Sequence, residues 1–303
     1  MQKGKPTMTT TFDLQMRNNI VLIEQTIEQL LPADPNAPQH TLLAAMKHSL
    51  SAGGKRIRPM LALEFCRLCG GTDETVLPAA CALELLHTAT LIHDDMPEMD
   101  NDDLRRGKPS CHVAFNLPTA LLAGDTLLIM PFEWIAAAKD TDAERKVALS
   151  LELAKAAGFY GACGGQQIDL ENETRSDVTI DGLKQMYAYK TGALIIAACR
   201  MGCIAAGADA ETLEIATQYA ARLGLAFQIV DDILDVTSTE EQLGKPIGSD
   251  AQQNKNTFVS LYGLEQAKQE AAMLTGEALD LLAKLPRSEF LTALTEMLLC
   301  RQS

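Results

Sequence analysis

Apolar residues return every three or four positions along nearly the whole of this 303-residue chain, and period-two runs of β-branched residues are missing. That spacing suits helices and leaves no material for a sheet. Ile20, Ile23, Ile27 and Leu30 mark one face of a first helix, which the run from Pro32 to Gln39 ends. Further helices are predicted over 40–52, 57–69, 75–96, 117–138, 142–157, 162–171, 180–206, 210–237, 256–283 and 288–300. Pro118 suits a first turn, Thr141 to Glu144 reads as a capping box, and Gly70-Gly71 and Gly207 read as stops. The segments 75–96, 180–206 and 210–237 are apolar almost all round, as helices flanked on every side are. No linker or fixed-period repeat divides the chain. The expectation is an all-α fold, one domain over 18–303 behind an N-terminal extension, 1–17, without fixed structure.

The formal charge is −14, from 26 Lys+Arg against 40 Asp+Glu. A protein that tracks nucleic-acid phosphates carries a basic stripe, so nucleic acid is excluded as the main partner. A membrane span needs about 18 or more uninterrupted apolar residues. The best candidate, Gly192 to Ala208, is broken by Arg200, so no transmembrane segment is expected. The start, MQKGKPTMTT, lacks the apolar centre of a secretory signal. Eight irregularly spaced cysteines in so long a chain read as reduced thiols in the cytoplasm. Cys66-x-x-Cys69 has no second CxxC pair to complete a zinc site, and reads as two buried thiols on one helix.

Two acidic clusters interrupt this apolar background. The first runs Leu91-Ile-His-Asp94-Asp95-Met-Pro-Glu-Met-Asp100 and continues to Arg105-Arg106; the second is Phe227-Gln228-Ile-Val-Asp231-Asp232-Ile-Leu-Asp235. Carboxylates in apolar helices need a partner or a cation. Asp231 and Asp235 are four apart and share a helix face. Asp94 and Asp100 are six apart, about 120° out of phase on a regular helix. Pro97 disfavours helical geometry at Met96, which lets the chain turn so that Asp100 folds back. Oxygen donors without convergent His or Cys favour Mg²⁺.

Cations accompany both clusters. Gly53-Gly54-Lys55-Arg56-Ile57-Arg58-Pro59 opens a helix, Arg105-Arg106 follows the first cluster, Lys190-Thr191 lies in an apolar helix, and Lys245 and Lys255 follow the second cluster. Helix N-termini and Lys or Arg together suit phosphate, so the combination points to a diphosphate. Glu84-Leu-Leu-His87 is an ExxH pair, but a di-iron bundle needs a second one, and no other histidine has Glu three residues before it. His87 reads better as a donor to phosphate or as a satisfied core histidine.

Taken with GGKRIRP, LIHDDMPEMDNDDLRRGKPSCH, LLAGD, GGQQIDL, YKTGALI, GLAFQIVDDILD and LGKPIGSD in that order, the chain resembles the trans-isoprenyl diphosphate synthases, in particular bacterial farnesyl and geranylgeranyl diphosphate synthases, from about residue 18 to its end. The resemblance implies a homodimeric bundle of about 10–13 helices around a deep central cavity. It implies that Asp94, Asp95, Asp100, Asp231, Asp232 and Asp235 hold three Mg²⁺ ions against an allylic diphosphate. Arg105, Lys190 and Lys245 would bind that diphosphate, with Lys255 at the rim. Lys55, Arg58, His87 and Arg106 would hold isopentenyl diphosphate. Thr191 and Gln228 would line the reacting carbons, and Gln166 and Asp169 would orient neighbours. The reaction implied is ionisation, condensation and proton loss, with catalytic work falling on Asp94, Asp95, Asp100, Arg105, Lys190, Thr191, Gln228, Asp231, Asp232 and Lys245.

Product length is expected to depend on Ala89 and Thr90, five and four residues before Asp94. Farnesyl synthases of this type often carry an aromatic near that point as a floor, whereas Ala89 is small. Farnesyl diphosphate is the product expected from the overall resemblance, with geranylgeranyl diphosphate, toward which Ala89 pulls, as the alternative; Leu85, Leu86, Met130 or Phe132 would be alternative floors. A terpene cyclase is disfavoured by the second aspartate motif and GGKRIRP. A non-catalytic regulatory homologue is disfavoured because no aspartate or phosphate cation is lost. Residues 94–103 and 231–250 together carry −11 of the −14, so the acidity is concentrated where a divalent cation reverses its sign.

Overall fold

A computed structural model describes residues 10–34, 36–237 and 255–299. Among them the fold is all-α, apart from one two-stranded ribbon. Helices α1 (Thr11–Leu30), α2 (His40–Leu50), α3 (Ile57–Leu68) and α4 (Asp73–Asp94) lead to strands β1 (Leu104–Arg105) and β2 (Lys108–Pro109). Then come α5 (Cys111–Ala114), α6 (Leu117–Ala137), α7 (Ala143–Ala157), α8 (Ala162–Asn172) and α9 (Ile180–Tyr187). A π turn over Ala188–Gly192 joins α9 to α10 (Ala193–Ala206), followed by α11 (Ala210–Thr237). After the undescribed 238–254 come α12 (Phe258–Tyr262), α13 (Leu264–Leu282) and α14 (Glu289–Leu299). Twelve of these have eight residues or more, within the range expected.

The centre of the bundle is α3, α4, α10 and α11. α4 packs on α6, α10 on α3, and α11 on α13. Their small residues set the spacing. A Cβ on Gly202 of α10 would stand 2.3 Å from the carbonyl oxygen of Ala62 in α3, so only glycine permits that approach.

Five expectations change. Residues 11–17 are helical: Thr10 and Asp13 form a capping box, and Phe12 stacks on Phe290 at 5.0 Å, so this segment joins the domain; residues 1–9 lie outside the described residues. The α7 cap is Asp142, whose side chain accepts from Arg145 N, while the Thr141 hydroxyl donates to the Thr75 carbonyl. The segment 180–206 is one apolar run but is broken by the π turn. The segment 256–283 divides at Gly263, where φ is +87°. Finally, α4, α6 and the run Ile180–Ala206 are each long and apolar enough to cross a membrane, by length and composition. Requiring an uninterrupted apolar run hid them, because single charged or polar residues punctuate each.

Candidate active site

Pro97 ends α4 as its ring chemistry dictates, and the chain then reverses. The backbone N–H groups of Asp100, Asn101 and Asp102 donate to the carbonyls of Asp94, Met96 and Asp95 at 2.8, 3.1 and 3.2 Å. Asn101 takes up the reversal with φ of +53°. Asp94, Asp95 and Asp100 are thereby gathered at the end of one helix. The β ribbon returns the chain a second time. Arg106 and Gly107 both have positive φ, 55° and 76°, as a two-residue hairpin of the primed type requires. The turn brings Arg105 back onto Asp95. Its Nε donates to Oδ1 at 2.8 Å, its Nη2 donates to the same oxygen, and Nη2 also reaches Asp102 at 3.3 Å. Asp95 is buried. Burial, more than its acidic neighbours, pushes the Asp94 carboxyl up to about 6, against the pull of Lys190 and Arg105. Asp95 is raised too, by burial, with the Arg105 hydrogen bond opposing.

Behind this cluster lies a pocket of cations. Gly53 and Gly54 adopt φ of +88° and +127°, and the Arg106 guanidinium lies where a Gly54 Cβ would be, 2.5 Å from Nη1. Arg106 donates to the Gly53 carbonyl. Arg56 is buried, and it donates from Nη1 to Glu84 on α4 at 2.7 Å and from Nη2 to Glu24 on α1 at 3.2 Å. It is a clamp that holds the glycine loop against α4. Glu84 is thereby committed, which removes the ExxH metal reading on structural grounds. Arg58 and Arg106 are not neutralised to the same degree. The buried Arg58 Nε has no hydrogen-bond partner among the described residues. Burial lowers the pKa of both guanidinium groups despite the attraction of Glu84. His87, one turn beyond Glu84, is pushed well below its ordinary value by burial, then by Arg58, Arg106, Arg56 and Arg105. A neutral histidine has one N–H to donate, and this ring feels the charges of two under-compensated guanidinium groups. Lys55 stands at the exposed edge. The arrangement suits a multiply charged anion.

The third part comes from the π turn and α11. Gly165 of α8 packs directly under the turn; a Cβ there would stand 2.1 Å from the Lys190 backbone nitrogen. π turns recur at functional positions because the extra residue re-aims side chains, and this one carries Lys190 and Thr191. Lys190 donates to Asp169 of α8, so Asp169 orients a neighbour as anticipated. Thr191 Oγ1 donates to Gln228 Oε1 at 3.0 Å, and Gln228 Nε2 faces Asp232 Oδ1 at 3.5 Å. The other Asp232 oxygen accepts from Tyr187 OH at 2.6 Å and Phe258 N at 2.8 Å. Asp232 and Asp235 are buried, while Asp231 is half-buried. Asp232, one of the expected metal ligands with Asp231 and Asp235, also ties α9 and α12 to α11 through these bonds. Lys190, Gln228, Asp232, Tyr187, Asp169 and Lys255 are among the residues lining a cavity of about 100 Å³.

These parts meet through two lysines. Lys255 Nζ reaches Asp100 Oδ1 at 3.2 Å across 155 residues of sequence, and the charge of Lys190 opposes the rise at Asp94. Of the residues singled out from sequence, Lys255 therefore joins Asp100 and Lys190 acts on Asp94, while Lys245 lies outside the described residues. Ala89 is fully buried in the core, and Thr90 is half-buried with its hydroxyl donating to the His87 carbonyl at 2.8 Å. Three contributors escaped the sequence reading: Arg56, hidden as one cation among three; Tyr187, whose partner lies 45 residues away; and the β ribbon, whose only signal is Arg106-Gly107.

The donor chemistry fits Mg²⁺. Asp94, Asp95, Asp100 and Asp231 offer hard oxygens only, and at Asp94, raised chiefly by burial, a bound cation would favour the charged carboxylate. Among the described residues no three His, Cys, Asp or Glu side chains converge as a ready-made metal cluster.

The polyprenyl synthetase family model matches residues 39–296. The chain is 45% identical over 259 residues to the geranylgeranyl diphosphate synthase of Cyanophora paradoxa, covering 85% of each chain. It is 42% identical over 270 residues to the farnesyl diphosphate synthase of Haemophilus influenzae, covering 88% of this chain and 90% of the other. Among solved structures, an FPP/GFPP synthase from Zymomonas mobilis superposes with a TM-score of 0.87 at 34% identity, over 96% of this chain and 100% of that one. A geranyltransferase from Helicobacter pylori complexed with magnesium and isoprenyl diphosphate gives 0.83 at 32%, over 97% and 98%.

Proposed function

This chain belongs to the polyprenyl synthetase family and is a short-chain trans-prenyltransferase, and from that premise we propose which of its residues hold which substrate and which product it releases. The observation that carries the assignment is the meeting of the two acidic clusters through Lys255 on Asp100 and Lys190 beside Asp94. A site that gathers carboxylates and cations at the end of one apolar helix suits a leaving diphosphate.

Asp94, Asp95, Asp100, Asp231, Asp232 and Asp235 would hold three Mg²⁺, with Asp232 also organising the same wall. Bound Mg²⁺ supplies Lewis-acid stabilisation of charge on phosphate oxygens. Arg105 and Lys190, with Lys245 and Lys255, add hydrogen bonds to the allylic diphosphate as its C1–O bond breaks. Lys55, Arg58, His87 and Arg106 hold isopentenyl diphosphate, whose double bond attacks the allylic cation. Because the Thr191 proton is engaged by Gln228, the lone pairs of its hydroxyl remain to face developing positive charge. The departing pyrophosphate is the nearest strong base for the final proton.

For product length, the small and fully buried Ala89 favours geranylgeranyl diphosphate, and synthases of that name are the more frequent among similar proteins. Farnesyl diphosphate is the second reading, supported by the Haemophilus influenzae relative. Chromatography of dephosphorylated products from purified protein, Mg²⁺, isopentenyl diphosphate and each allylic primer decides between them. A C20 alcohol supports the first reading and a terminal C15 alcohol overturns it. The exposed apolar side chains of α6, Leu121, Leu122 and Ile129, support pairing with a second copy, which sedimentation tests.

A further inference from the structure

Four thiols line the seam between α3 and α10, remote from any residue assigned above. Cys66 and Cys69 lie on the α3 side; Cys199 and Cys203 lie on α10. The sequence reading found no second CxxC pair because the partner spacing is Cys-x-x-x-Cys, one helical turn on the facing helix. Gly202 brings the two backbones into direct contact. One result is that Cys69 and Cys203 place their sulfurs 3.8 Å apart, separated by 134 residues in sequence. A disulfide needs about 2.05 Å, so the sulfurs must close by under about 2 Å. Among the described residues no three such ligands converge on a metal position.

We propose that Cys69 and Cys203 are a peroxide-sensitive dithiol, whose oxidation forms a reversible disulfide stapling α3 to α10. The two members differ as an attacking and a resolving thiol should. Cys69 is half-buried at the C-terminal cap of α3, and Cys203 is buried. The more accessible Cys69 also lies near the Arg287 guanidinium, whose charge favours its thiolate. Arg287 is fixed there by its own hydrogen bond to the Leu68 carbonyl at 3.2 Å. The exposed Cys163 has no such support, and burial and Asp94 shift it upward.

The chemistry balances with a hydroperoxide as oxidant. The Cys69 thiolate attacks one peroxide oxygen, the O–O bond breaks, and hydroxide leaves, giving a sulfenic acid. Cys203 then loses its proton as its sulfur attacks Cys69 Sγ. The S–S bond forms, the S–O bond breaks, and the departing hydroxide is protonated to water. Two thiols lose two electrons and two protons, and one hydrogen peroxide becomes two waters. α3 carries Arg58 at its other end, and α10 runs directly from the π turn bearing Lys190, so the staple ties together the far ends of two helices that reach the site.

The test is peptide mapping of the full-length protein after one equivalent of hydrogen peroxide, with alkylation before unfolding and digestion without reductant. The expected product is a Cys69–Cys203 cross-linked peptide, reversed by dithiothreitol, with Cys163 still alkylated. Oxidation of Cys163 ahead of Cys69, or pairing of Cys69 with any other cysteine, overturns the proposal. In Cys203→Ser the sulfenic acid should persist on Cys69 and label with dimedone. Absence of label on a folded variant also overturns it.

Discussion

The backbone N–H of Asp100 donates to the carbonyl oxygen of Asp94 at 2.8 Å. That one bond reconciles a spacing which a regular helix would splay by about 120°. It depends on Pro97, which stops α4 so that the carbonyls at its end are free to accept from the returning chain. Pro97→Ala should let the helix continue, draw Asp100 away from Asp94, and lower kcat/KM about ten-fold or more. Steady-state kinetics at saturating Mg²⁺ checks it.

The clamp of Arg56 on Glu84 is buried on both sides, with side-chain exposures of 3% and 2%. Removing one partner leaves an uncompensated charge. Arg56→Ala or Glu84→Ala should each cost about 3–5 kcal/mol of stability, read by urea unfolding. The double variant Arg56→Met, Glu84→Leu should lose clearly less than the sum of the two.

Gly165 is required by the Lys190 backbone, not by a flexible side chain. Gly165→Ala must move the π turn, and a displacement of about 1 Å at a substrate-positioning residue costs about 10²-fold. Gly182→Ala is the control, because a Cβ there meets only the Thr179 hydroxyl, at 3.3 Å. The prediction is a large fall in kcat/KM for the first variant and little change for the second.

His87 gives a pH dependence of stability with a definite sign. Its pKa is lowered in the folded state, so the unfolded chain binds the extra proton first as pH falls below about 6.5. Its neutral form therefore supports the fold above that pH, and the support is lost as pH falls toward the folded value. Between pH 7.5 and 5.5 the wild type should lose more stability than His87→Gln. Parallel thermal melts in matched buffers compare the two slopes.

Much of this site was legible because it is local in sequence. Asp94 with Asp95, Asp231 with Asp235, and Lys55 to Arg58 are motifs within a few residues, and the helices that carry them follow from a 3.6-residue period. What escaped depends on distant partners. Nothing near Tyr187 announces that its hydroxyl meets Asp232, and nothing near Cys69 announces Cys203. The π turn was invisible because Ala188 to Gly192 continues an apolar run, and its register is set by the close approach of Gly165 from α8. The α7 cap slipped by one residue because the Thr141 hydroxyl is drawn off to Thr75, a tertiary contact that local capping rules do not contain.

Product formation by the wild type and by Asp94→Asn and Asp231→Asn, at matched fold and saturating Mg²⁺, tests the central claim most directly. The wild type should turn isopentenyl diphosphate and an allylic diphosphate into a longer prenyl diphosphate and pyrophosphate. Each variant should lose at least about 10²–10³ in kcat, the scale for removing a group that stabilises charge in the transition state. Near-wild-type turnover in both variants would contradict the account, because condensation would then not depend on the two carboxylate clusters that the fold brings together.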